Sequence, residues 1–185
     1  MNKTQIRRTV LTSVFTALIS AGAFTIVPIG PVPIVLTTLF VTLSGLLGGF
    51  RIGVISVIVY LILGILGLPV FAGGSGGFAV LTGPTGGYLI GYLLAAAFAG
   101  LIFRPGKSNT RPVLILLAIA AALTAAVSIY IPGLLWLKLS LGLEWKKALN
   151  IGFFPFIPGD LIKASAAVVL AISLKDRFIS FLKDD

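Results

Sequence analysis

The chain contains no cysteine and no histidine. Without cysteine there are no disulfides, no thiolate metal site and no clue to redox compartment. Without histidine the commonest general base and metal ligand is missing, which weighs against an enzyme. Charge is scarce as well. Only 10% of the 185 residues are charged, against about 25% in ordinary soluble domains. A soluble fold of this size could not cover its surface with so few charges. Apolar residues make up 58% of the chain and the mean hydropathy is +1.14. Lipid can act as solvent for such a surface, provided that the backbone satisfies its own hydrogen bonds. The expectation is an all-α, polytopic integral membrane protein forming one compact helical bundle.

The net charge is +9. In a soluble protein that would suggest nucleic acid. Here the basic residues lie between apolar runs, neither gathered in one patch nor interleaved with aromatics, so orientation in a membrane explains them better. No nucleic-acid partner is expected, and the composition offers no metal site.

Proline, glycine and charge punctuate the chain. A basic start, Lys3 with Arg7 and Arg8, precedes an apolar run that is too long for a usual signal peptide and is followed by further apolar runs. Six spans are expected, over about 10–26, 34–50, 54–68, 87–103, 112–131 and 159–174, in a single domain covering 1–185; each span needs roughly 20 residues. Between them lie a Pro-rich turn at 28–33, a Gly-rich loop from Pro69 to Gly86, a hydrophilic connector at 104–111 and a mixed segment at 132–158. The tail from Lys175 reads as polar. With the N-terminus inside, ten of the lysines and arginines fall on the cytoplasmic side and three, Lys138, Lys146 and Lys147, fall outside. Both termini are therefore expected in the cytoplasm.

Two regions on the expected outer side call for more than a structural role. The first runs through Phe71, Gly73 and Gly74 to Gly83-Pro84-Thr85-Gly86-Gly87-Tyr88. Glycine lets backbone approach a ligand and take positive φ, whereas a plain connector has no need of Phe71, Phe78 and Tyr88. No Gly-Lys-Ser/Thr follows these glycines, so this is not a phosphate-binding loop. The second is Pro158-Gly159-Asp160-Leu161-Ile162-Lys163. On a helix, Asp160 and Lys163 share a face. The bland reading is a helix start with a local ion pair; the functional reading is an ionisable pair facing a cavity, since intramembrane charge is costly and usually functional. Ala17 and Ala21 on the first span add a small-residue stripe suited to close helix packing in lipid.

Together these motifs resemble the BioY family, the biotin-specific substrate-binding subunits of energy-coupling-factor (ECF) transporters. The resemblance is carried by Pro31-Val32-Pro33, by Gly67-Leu68-Pro69-Val70-Phe71-Ala72-Gly73-Gly74, by Gly83 to Tyr88 and by Pro155-Phe156-Ile157-Pro158-Gly159-Asp160-Leu161-Ile162-Lys163, and it runs over nearly the whole chain. It implies six helices, a vitamin site near the outer face, a prokaryotic plasma-membrane location, and partnership with a transmembrane coupling subunit and two ATPases. Biotin is then a transported ligand, with no cofactor. The implied biotin-binding set is Asp160, Lys163, Phe71, Gly73, Gly74, Gly83, Pro84, Thr85, Gly86, Tyr88 and Thr37; Thr37 stands where the family usually carries Gln, a longer side chain with more donors. Ala17 and Ala21 match the family's Ala-xxx-Ala docking pattern for the coupling subunit. Lys163 is the favoured partner of the biotin carboxylate, with Asp160 either fixing the ammonium or accepting from the ureido group.

Two other classes remain open on residues alone. A channel or secondary carrier for another small organic molecule would favour further buried carboxylates beyond Asp160. An intramembrane enzyme would have only Asp160, Lys163 and hydroxyls to work with.

Overall fold

The computed structural model describes residues 2–104 and 110–183, with only the backbone of Lys183 described; Lys107, Ser108 and the rest of the 105–109 connector lie outside these residues. The fold is all-α apart from one two-residue antiparallel ribbon. Helix α1 spans Lys3–Phe24, and strands Ile26–Val27 and Ile34–Val35 pair after it. Helices α2 (Thr37–Ile65), α3 (Phe78–Thr82), α4 (Gly86–Ile102), α5 (Arg111–Leu141), α6 (Trp145–Gly152) and α7 (Ile157–Lys183) follow. Thr37–Ile65, Arg111–Leu141 and the segment Trp145–Leu182 are each long and apolar enough to cross a membrane. Their outward faces stay apolar: Leu116, Ile131, Ile162 and Val169 are 67%, 66%, 71% and 63% exposed. Such surfaces are tolerable only in lipid.

α2 is a hairpin of two helical arms, 37–48 and 50–65. Gly49 breaks it, with φ +68° and ψ −177°, a conformation essentially restricted to glycine. A Cβ on Gly53 would lie only 2.9 Å from the Cα of Gly45. In one straight helix, residues eight apart are separated by about 12 Å, so the chain has turned back on itself. The arms coincide approximately with the expected spans 34–50 and 54–68.

Helices pack closely where side chains are small. A Cβ on Gly45 would stand 2.5 Å from the Ala96 carbonyl, and one on Gly91 would stand 2.7 Å from the Ile129 Cα. These contacts pin α4 between α2 and α5. In lipid, close backbone approach of this kind replaces the hydrophobic drive that water would supply.

Several boundaries differ from the sequence reading. α1 begins at Lys3 rather than near residue 10, because Lys3, Arg7 and Arg8 extend the helix past the apolar run. The 132–158 segment is largely helical. α5 continues through Pro132 to Leu141 and ends on Gly142 in the left-handed conformation; Pro132 removes one N–H, a loss that membrane helices commonly accommodate. At 31 residues α5 is about 46 Å long, which exceeds a hydrocarbon core of roughly 30 Å. The tail read as polar is the end of α7, whose Phe178 ring packs 5.9 Å from Phe15 of α1. The Gly-rich loop also has structure: a 3-10 turn at Ala72–Gly74, then α3.

Candidate ligand-binding cavity

At the end of the bundle where α1 finishes and α4 starts, the helices part around a cavity of ≈ 200 Å³. Its walls come from the Val32–Val35 segment, both arms of α2, the 71–75 turn, α4, α5 and the first turns of α7. All four tyrosines of the chain, Tyr60, Tyr88, Tyr92 and Tyr130, line it. Tyrosine in membrane proteins ordinarily settles at the water interface. Four of them around one hollow mark a place where hydroxyls are wanted inside an apolar wall.

One turn of α7 supplies the charges. Lys163 Nζ lies 2.6 Å from Asp160 Oδ1 in an i,i+3 pair, as the sequence spacing requires. The pair is fixed from three other elements. Lys163 Nζ donates to the Val35 carbonyl and to Thr38 Oγ1, both at 3.1 Å. Tyr130 of α5 donates its hydroxyl to Asp160 Oδ2. Lys163 is only 9% exposed, and an acid and two neutral acceptors surround its Nζ, the kind of compensation that a buried ion pair requires. Tyr130 is itself braced edge-on by Tyr88 and Phe153, at 6.3 and 4.8 Å between ring centroids. Tyr88 in turn donates to the Gly152 carbonyl at 2.9 Å.

The 71–75 turn closes the opposite wall. The Phe71 N–H donates to the Ser75 carbonyl, and the Gly74 N–H returns to the Phe71 carbonyl, both at 2.9 Å. Gly73 and Gly74, at φ +69° and +75°, make so tight a return possible. It drives Phe71 fully inward, edge-on to Tyr60 at 5.4 Å. Gly64 leaves room for that ring, since a Cβ there would overlap it.

Of the sequence-expected residues, Thr37, Phe71, Thr85, Tyr88, Asp160 and Lys163 line the cavity. Gly73, Gly74, Gly83, Pro84 and Gly86 do not; they shape the turns behind it. The Gly83 carbonyl accepts from Trp136 Nε1 at 2.9 Å. Pro84 sits in the turn before α4. Gly86 lies against the Leu81 carbonyl, which a Cβ would overlap. Ala17 and Ala21 lie far along α1 on its exposed face, opposite buried Phe15 and Ile19. The sequence reading missed Thr38, Tyr60, Tyr92 and Tyr130. A hydroxyl-bearing ring within an otherwise apolar span was the available signal for the three tyrosines.

A family model described as the BioY family matches residues 1–180. The chain belongs to the BioY family. A probable biotin transporter BioY from Pyrococcus horikoshii is 42% identical over 165 residues, covering 89% of this chain and 94% of the relative. The biotin transporter BioY of Thermotoga maritima is 39% identical over 169 residues, covering 91% and 96%. A crystal structure of the S-component for biotin from an ECF-type ABC transporter matches with a TM-score of 0.86 at 30% identity, over 99% of each chain. The BioY likeness thus extends through every wall of the cavity.

Proposed function

We propose that this chain is the substrate-binding membrane subunit of an ECF-type transporter, which captures biotin at the outer face and delivers it inward without chemical change. The observation that carries this reading is the cavity. It is recessed among the helices, mainly apolar, and furnished at one side with a fixed Asp160–Lys163–Tyr130–Thr38 cluster. Such a site suits a small organic molecule with an apolar body and polar ends. Phe71, Tyr88, Thr85 and Thr37 contribute wall contacts, and the glycines behind them hold the loops in place.

In this reading α1, the two arms of α2, α4, α5 and α7 cross the bilayer, which makes six spans with both termini in the cytoplasm. The cavity then opens outward, and Lys138, Trp136, Trp145 and α6 lie at the outer interface. The chain has no nucleotide-binding motif, so transport draws on a transmembrane coupling subunit and two ATPases. Ala17 and Ala21 form the docking face for that coupling subunit. A proton- or sodium-coupled carrier would favour further buried carboxylates, whereas Asp160 is the one acid that lines the cavity among the described residues.

Mass spectrometry of small molecules that co-purify with the detergent-solubilised protein, followed by calorimetric titration with biotin, tests the reading. Biotin is expected in the first experiment and saturable one-to-one binding in the second. Absence of binding by the folded protein would remove biotin as its ligand.

A further inference from the structure

Resting on the biotin reading above, we propose that Lys138, Lys146 and Lys147 form an electrostatic entry patch outside the cavity, which draws the anionic ligand in and sets how fast it binds. The carboxylate of biotin is ionised at neutral pH, so the free ligand carries one negative charge. The cavity offers that anion no net attraction at a distance, because Lys163 and Asp160, 2.6 Å apart, cancel each other. The connections 25–36 and 66–85, which lie at the same end of the bundle, contain no lysine, arginine, aspartate or glutamate. The remaining charges there are the three lysines and Glu144, which leave two net positive charges on the end of α5 and on α6.

Pairing and packing do not account for these charges. Both ion pairs among the described residues lie elsewhere, at Asp160–Lys163 and Lys175–Asp176. α6 is seated through Ala148 and Gly152, which are buried, and it leaves Lys146 and Lys147 exposed, as is Glu144 just before it. Lys138 Nζ lies 5.5 Å from the centroid of the Trp145 ring, which joins the end of α5 to α6 in one patch. In the proposed topology these cations also stand on the outer side, against the usual bias of lysine and arginine toward the cytoplasm.

The patch is close enough to the cavity to act on the ligand. Gly152, the last residue of α6, accepts the Tyr88 hydroxyl at 2.9 Å, and Tyr88 lines the cavity. A Cβ on Gly152 would stand 2.5 Å from that hydroxyl and 2.5 Å from Leu137 Cδ2, so this end of α6 is held firmly against the wall. Lys147 and Lys146 precede Gly152 on the same helix, by about 8–9 Å along its axis at a rise of about 1.5 Å per residue. The Debye length is about 10 Å at 0.1 M salt and about 30 Å at 0.01 M. The field of the lysines therefore reaches the rim of the cavity, most strongly at low ionic strength. Charges at a rim, which stay hydrated when the ligand binds, act on association rate and salt dependence rather than on dissociation.

Stopped-flow association and dissociation rates would be measured in nanodiscs of zwitterionic phosphatidylcholine, which adds no net charge, at about 0.01 M and about 1 M salt. Biotin would be compared with biotin methyl ester, which is uncharged. In wild type the association rate of biotin should fall about tenfold between the two salts, the lower end of steering effects, while that of the ester stays level. Lys146→Gln combined with Lys147→Gln should lower the low-salt association rate of biotin severalfold and flatten its salt dependence, with dissociation unchanged. Glu144→Gln, which removes the one opposing charge, should raise that rate. The entry patch is overturned if biotin associates at the same rate in both salts, if the ester shows the same salt dependence as biotin, or if the double variant associates as wild type does. Failure of wild type to bind biotin at all would instead count against the biotin reading itself.

Discussion

Lys163 shows how much a single buried charge depends on its surroundings. Its ammonium is tolerable at 9% exposure only because Asp160, Val35 and Thr38 surround it. Removing one partner of such a buried pair leaves the other charge uncompensated, at a cost of roughly 3–5 kcal/mol to the local structure, and even half of that felt by the cavity would be more than tenfold in affinity, since about 1.4 kcal/mol is tenfold. Lys163→Ala and Asp160→Ala are each expected to weaken biotin by more than about tenfold in calorimetric titration. Unchanged affinity in either would take that residue out of the site. Tyr130→Phe is milder. It deletes one hydrogen bond to a charged group, worth about 1.5–3 kcal/mol, but leaves the ring against Phe153 and Tyr88. It should cost roughly tenfold or somewhat more in affinity with little change in thermal midpoint; a large loss of stability without loss of binding would make Tyr130 a purely structural brace.

Among the elements, α2 carries the sharpest local demand. Its reversal rests on Gly49 at φ +68° and ψ −177°, next to a point where Gly100 of α4 approaches the Phe50 amide. A side chain at Gly49 meets no neighbour within 4 Å, so the cost of Gly49→Ala is conformational rather than steric. Such strain is of order 1–3 kcal/mol, and Gly49→Ala should lower the thermal midpoint in detergent while leaving biotin affinity in the folded fraction unchanged. An unaltered midpoint would mean that the turn can be made another way. α1 has the opposite character. Its buried face, Phe15, Ile19, Gly22 and Ala23, packs inward, whereas Ser13, Ala17 and Ala21 form an exposed row of small residues. Ala17→Trp or Ala21→Trp should spoil co-purification of the coupling subunit and ATPases yet leave biotin binding intact. Full retention of the complex would exclude this face as the docking surface.

For the molecule as a whole, charge sets the proposed sidedness, with both termini in the cytoplasm and α6 outside. The absence of native cysteine makes this simple to check. In intact cells an impermeant thiol reagent should modify Lys147→Cys, on exposed α6, and spare Asp176→Cys, whose side chain is 79% exposed near the end of α7. The reverse pattern would invert the protein in the membrane. The connections 66–85 and 142–156, which carry α3 and α6 and give Phe71 and Phe156 to the cavity lining, would then also change sides, together with the direction in which the ligand enters.

Much of this was determined by the sequence alone. Scarce charge with long apolar runs leaves few folds open to the backbone, because in lipid each polar group of the main chain must be satisfied within a helix or a closed barrel. The i,i+3 spacing of Asp160 and Lys163 made their ion pair legible, since helix geometry is local. Positive φ at Gly73 and Gly74 was legible for the same reason. Local rules could not reach across the bundle. Val35 and Thr38 are more than a hundred residues from Lys163 in sequence, at separations of 128 and 125, and Tyr130 is 30 residues from Asp160. Only the packing of α2 and α5 against α7 brings them together, and only that packing uses up every donor on Lys163. The sequence shows a lysine one helical turn from an acid; only the tertiary structure decides which further groups surround that pair, because hydrogen-bond partners are neighbours in space, whatever their distance along the chain.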